Sequence, residues 1–156
     1  MTKRFTPNLS AVSAGIPLLD DGSYEFSIGE PKAFARTTQK NGIDVELSGI
    51  TVSFKVVEGP SHINKNIPQS FYLSNEDAQP MIKQFLMAAY GFGKASEAGF
   101  NEQFSNGEDY AYDAETQEMG EVWRGLAGKR ILAEVVSKPS KQDPNQMQNR
   151  FTWAPF

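Results

Sequence analysis

The sequence predicts a mainly β domain: a small closed or nearly closed barrel of five strands, with one helix between the third and fourth and an acidic insertion after the helix. Three observations carry that expectation. Residues 43–60 alternate apolar and polar, with Ile43, Val45 and Leu47 on one parity and Ile50, Val52, Phe54 and Val56 on the other. Ser48-Gly49 stands at the change of phase, where a bulge or bend in one long strand would reset the side-chain period and keep the same face buried. Long bent strands of this kind belong to small barrels. Second, apolar residues recur at helical spacing in one stretch, about residues 76–90. Third, strand-like segments number three before that stretch and two after it.

Along the chain, residues 1–21 read as a flexible N-terminal arm ending in the turn Asp20-Asp21-Gly22, and residues 22–156 as a single domain. Tyr24, Phe26 and Ile28 alternate with Ser23, Glu25 and Ser27, the pattern of a half-buried strand. Gly29-Glu30-Pro31 interrupts it and residues 32–36 resume it. In the polar turn over residues 37–42, Asn41-Gly42 supplies the positive backbone angles of a hairpin. The bent strand follows, then a polar loop to residue 66. Residues 67–73 form the next strand with Ile67, Phe71 and Leu73 inward, and Pro68 marks an edge or a bulge. Ser74-Asn75-Glu76-Asp77 caps the helix, whose stripe is Met81, Ile82, Phe85, Leu86, Ala89 and Tyr90, with Gly91 at its C-cap. Pro80 fits only near the first turn. Residues 92–122 are rich in Gly, Asn, Ser and Glu, and a structureless loop of that length would be unusual in a compact domain. Residues 126–137 are a strand, residues 138–148 a polar hairpin loop, and residues 149–156 the closing strand.

A chain of 156 residues that is 39% hydrophobic suits one domain with a real core. The absence of cysteine excludes disulfides and thiolate metal sites and fits a cytoplasmic location. Ser, Gly and Pro interrupt the apolar run near the start, which argues against a secretory signal. No segment approaches membrane-spanning length, so no membrane partner is expected. The net charge of -4 argues mildly against a nucleic-acid partner, but its distribution argues the other way. Residues 92–122 hold eight acids against one base, Lys94. Removing them from 19 acids and 15 bases leaves 11 acids and 14 bases, so the remainder is +3.

Catalytic chemistry finds little to work with. His62 is the one histidine, and without a second histidine or any cysteine it supports neither a metal site nor a nucleophilic triad. It reads as a solvated loop residue. Residues 91–96, GFGKAS, echo a phosphate loop, but Ala88 occupies the required upstream glycine position and the motif follows a helix. Asp109, Asp113 and Glu115 lack the spacing of a calcium loop. Neither an enzyme nor a cofactor is expected.

Binding chemistry remains. Single-stranded nucleic acid needs cations along a groove and aromatic faces for its bases. Lys32, Phe34, Arg36 and Lys40 interleave the two on the first hairpin, Lys55 and Tyr72 point away from the apolar sets of their strands, and Lys65 lies in the following loop. Arg150, Phe151 and Trp153 repeat the mixture at the end. The plainer alternative makes Phe34, Phe151 and Trp153 core and the bases solubilising charges.

A series of short motifs adds a resemblance: Gly22-Ser-Tyr24, Val56-Val-Glu-Gly59-Pro60, Lys65-Asn-Ile67, Phe71-Tyr-Leu73, a helix ending Ala89-Tyr90-Gly91, Leu126-Ala-Gly128-Lys129 and Gln148-Asn-Arg150. In this order they resemble the OB-fold-like single-stranded DNA-binding proteins of bacteriophages, over residues 22–91 and 123–154. The resemblance implies a five-stranded OB-like barrel that binds single-stranded DNA with little sequence preference and supports phage replication or recombination. Lys32, Arg36, Lys40, Lys55, Lys65 and Arg150 would then meet phosphates, and Phe34, Tyr72 and Trp153 would stack bases. Such proteins commonly bear an acidic C-terminal tail, whereas this chain ends TWAPF and carries its acids inside. The expectation is that residues 92–122 take over that role, competing with DNA or presenting Phe100, Phe104, Tyr110 and Tyr112 to replication or recombination proteins. A protein-interaction or virion structural module on the same barrel is the alternative, and an oligomer stays open.

Overall fold

Alternating patterns do become strands, and the single long one organises the sheet. A computed structural model describes residues 4, 6, 10, 18–141 and 143–156. It contains strands β1 (Gly22–Ile28), β2 (Lys32–Lys40), β3 (Ile43–Glu58), β4 (Asn66–Phe71), β5 (Arg130–Pro139) and β6 (Met147–Pro155). The helices are α1 (Gln79–Ala89), α2 (Glu97–Gln103) and α3 (Glu121–Arg124). The result is mainly β: an open antiparallel sheet ordered β2-β3-β1-β5-β6, with β4 also paired to β3.

β1 and β2 lie in tandem along one edge of β3, with Ile28 opposite Phe54 and Lys32 opposite Thr51, while β4 takes the other edge. The break at Gly29-Glu30-Pro31 is therefore an interruption within one course of chain, as the pattern suggests. Barrel closure and a count of five strands are not what is found: six strands form, and no ladder joins β4 to β6 among the described residues. Phe85 of α1 packs between the two end strands instead, its ring 4.6 Å from that of Phe71 and 5.2 Å from that of Trp153.

The expected bulge at Ser48-Gly49 is absent. β3 is continuous, as predicted, but its pairing with β2 runs unshifted from Lys32/Thr51 to Lys40/Ile43, and the register shift lies at Glu25/Phe26 on β1. Without a bulge, a change of apolar parity is a change of face. Ile50, Val52, Phe54 and Val56 are fully buried, whereas Ile43, Val45 and Leu47 point to the opposite side, on an arm formed by the distal halves of β2 and β3. Asn41 and Gly42, at φ 54° and 77°, close that arm as the sequence predicts.

Gly49 has a different reason to be glycine. A Cβ there would stand 1.8 Å from the Phe71 carbonyl oxygen, because the chain leaving β4 crosses at that point; Ser74 N–H donates to the Ser48 carbonyl and Ser48 N–H to Ser74 Oγ. Gly49→Ala is accordingly expected to destabilise the fold by about 3 kcal/mol, since backbone rather than a flexible side chain must move. Equilibrium urea denaturation measures it, and an unchanged midpoint would contradict the crossing.

The helix behaves as predicted. Asn75 Oδ1 accepts from Asp77 N–H at 3.0 Å, one turn of 3₁₀ helix leads into α1, and Pro80 sits in its first turn. Ile82, Phe85, Leu86 and Ala89 are buried, but Met81 is 60% exposed and Tyr90 only half-buried. The later strand starts at Arg130 rather than residue 126, because Leu126 is core and Gly128, at φ 86°, turns the chain into β5.

Residues 19–21, expected to end a flexible N-terminal arm, are tied to the domain. Leu19 is 1% exposed and is gripped by Asn149, whose Oδ1 accepts from Leu19 N–H while its Nδ2 donates to the Leu19 carbonyl. Asp21 Oδ1 accepts from Ser137 N–H. Apart from Arg4, Thr6 and Ser10, the arm before residue 18 lies outside the described residues.

Candidate nucleic-acid interface

Period two decides which predicted site residues can meet. Lys32, Phe34, Arg36 and Lys40 alternate on β2 and lie opposite Thr51, Gly49, Leu47 and Ile43 of β3. Lys55 has the same parity on β3, and Tyr72 follows β4 immediately. All six share the outer face of β2, β3 and β4, away from the core. From Ile43 to Lys55 that face is about 40 Å long.

At its centre three side chains touch. The Phe34 and Tyr72 rings meet edge to face with centroids 5.3 Å apart. The Arg36 guanidinium carbon is 5.8 Å from each centroid, and Arg36 Nη2 donates to Tyr72 Oη at 3.0 Å. Gly49 lies opposite Phe34 on the neighbouring strand. Arg36 is exposed and both rings are half-buried, so the cluster is reachable from solvent. A planar cation beside two aromatic rings is an arrangement on which nucleobases stack and near which phosphates are attracted.

Lys32 and Lys40 mark the two ends of β2 on this face, both exposed, with Lys40 at the tip of the arm. Lys55 is exposed between Ser27 and Asn66, next to Lys65 in the loop before β4. Ile43, which is 67% exposed, and half-buried Val45 and Leu47 extend the face with apolar surface. Sequence reasoning missed these three because their alternation is also that of a core strand.

Two expected contacts lie elsewhere. Arg150, opposite Val136 on β6, is three strand spacings from β3, about 14 Å, and its Nε is buried without a hydrogen-bond partner. Trp153 faces the core: its ring is stacked on Phe54 and on Phe151, each at 5.0 Å. A ring occupied in this way offers no platform to a base, so Trp153 follows the plainer alternative.

The acidic segment is folded onto the domain. Phe100 and Phe104, expected to meet a partner, are 0% and 3% exposed and belong to the core, because α2 turns its apolar side inward. Tyr110 is half-buried and donates to the Phe104 carbonyl at 2.8 Å; burial, and then Asp109, raise its pKa. Tyr112 Oη and Ser48 Oγ hydrogen-bond at 2.7 Å. Burial, reinforced by Glu121, pushes Tyr90 up to about 12, so its hydroxyl remains a donor to the Val122 carbonyl at 2.7 Å.

Gln117 fastens this segment beside the outer face. Its Oε1 accepts from Ala33 N–H and its Nε2 donates to the Ala33 carbonyl, both at 2.9 Å, so one amide occupies part of the free edge of β2 as a strand would. No sequence signal marks a pairing across 84 residues. Asp113, Glu115 and Glu118, within four residues of Gln117, are exposed.

His62 is not simply solvated: half-buried, at φ 59°, it has Nδ1 2.8 Å from Ser61 Oγ, which also pairs with Tyr24 Oη. Among the described residues no group of three or more acidic or histidine side chains is placed to hold a metal ion, and no helix is long and apolar enough to cross a membrane. Compared with known proteins, the chain matches no protein-family model and no curated protein.

Proposed function

We propose that the protein binds single-stranded DNA with little sequence preference, through stacking at Phe34 and Tyr72 and through phosphate contacts from Lys32, Arg36, Lys40, Lys55 and Lys65. The observation that carries this reading is the solvent-accessible cluster of Phe34, Arg36 and Tyr72 on a face whose lysines share its parity. Bases have π-faces in common whatever their identity, so such a surface favours nucleic acid without reading sequence. An OB-like architecture fits: with β1 and β2 counted as one interrupted strand, the connections and the helix before β5 follow that barrel's pattern, opened between β4 and β6. A role in phage replication or recombination, in a host cytoplasm, rests on the motif resemblance.

A fluorescent oligonucleotide titrated at two salt concentrations tests the reading. Binding should weaken clearly as salt rises, because phosphate neutralisation releases counterions; no binding at low salt would rule it out. The apolar run Ile43, Val45 and Leu47 favours a second reading, in which the arm packs against protein in a replication complex or a virion. Stoichiometric presence in purified virions would support that alternative.

A further inference from the structure

We infer that Lys32 and Arg124 form one phosphate clamp at the start of β2, so that a residue beyond the acidic segment grips the backbone of the strand stacked on Phe34 and Tyr72. This rests on the nucleic-acid reading and adds to it a site that the strand pattern does not contain. Lys32 and Arg124 line a single open hollow with Glu30, Gln117 and Met119. Neither cation is in an ion pair, since the ion pairs among the described residues are Lys83 with Glu97 and Arg130 with Glu25. Two like charges facing one hollow repel each other, and an anion between them relieves that repulsion. Only Glu30 opposes them there.

Both cations are held in place by their neighbours. Ala33, the residue after Lys32, is clasped on its N–H and its carbonyl by Gln117. Val122 and Trp123, the residues before Arg124, are fully buried, and Trp123 Nε1 donates to the Tyr110 carbonyl at 2.9 Å. A site whose backbone is already fixed loses little entropy when an anion arrives. On the other side of Arg124 lies a hollow lined by Glu108, Asp109, Asp113, Glu118 and Glu121. Its charge repels a polyanion, which leaves the Lys32 side as the favourable approach. Lys32 is two residues, about 7 Å, from Phe34 on the same face, so phosphate at the clamp and base on the ring fall within reach of one strand.

The ligand is thus a phosphodiester, and free phosphate shares its chemistry. Wild type, R124Q, K32Q and E30Q are titrated with labelled oligothymidine over a range of salt concentrations. R124Q and K32Q should each flatten the slope of log K against log salt by about 0.7 and weaken binding about fivefold at about 0.1 M salt. E30Q should strengthen it. R124Q and E30Q both matching wild type, while the oligonucleotide still binds, would overturn the clamp and leave the general reading standing. Failure of the wild type to bind would overturn both. Inorganic phosphate, titrated alone, separates the sources: phosphate binding lost in R124Q with oligonucleotide binding unchanged would overturn the phosphodiester assignment.

Discussion

Replacing Phe34 and Tyr72 together by alanine is expected to lower affinity for single-stranded DNA at least about fivefold while the protein stays folded. Stacking contributes about 1–3 kcal/mol per base at an aromatic platform, and the two rings form one platform here. Their removal leaves the core intact, because Phe34 and Tyr72 lie on the outer face and neither belongs to the buried cluster built on Phe26, Phe54 and Phe85. The salt dependence should change little, since no cation is lost. Arg36→Lys separates charge from geometry: the slope should be retained, whereas affinity falls because an ammonium cannot lie flat beside both rings or reproduce the guanidinium fork. Fluorescence titration of the double variant, with thermal unfolding as the control, provides the measurement. A folded double variant that binds as wild type does would show that bases stack elsewhere.

The outer face was legible because β-strand parity is local. Lys32, Phe34, Arg36 and Lys40 needed only alternation to share a side, and the pairing of β2 with β3 preserves it. The same rule misplaces Trp153, because alternation says that two faces exist without saying which is buried. Ile43, Val45 and Leu47 fail for a related reason: an apolar parity beyond the reach of the core looks like core until the end of the sheet is known. What the sequence could not show is non-local. Asn149 holding Leu19, across 130 residues, and Gln117 holding Ala33 are single side-chain amides acting as strand edges, and they leave no period.

Deleting residues 92–122 is expected to unfold the protein, not to release a competitor from its DNA site. Phe100, Phe104 and Val122 lie within the deleted segment and belong to the core, and Tyr90 would lose both its edge contact with Phe104 and its acceptor on Val122. Trp123, fully buried, would lose the Tyr110 carbonyl that satisfies its indole N–H. Smaller changes should point the same way. Phe100→Ala or Trp123→Ala should each destabilise by about 3–5 kcal/mol, a large share of a total on the order of 5–15 kcal/mol. Calorimetry or urea denaturation reads this directly, and a deletion variant that unfolds cooperatively near the wild-type midpoint would refute it. Charge must therefore be tested without touching the packing. Asp113, Glu115 and Glu118 are exposed, so converting them to Asn, Gln and Gln should leave stability within about 1 kcal/mol. Any gain in DNA affinity then reports repulsion by the acidic segment, because the aromatic residues that fold the segment remain where they were.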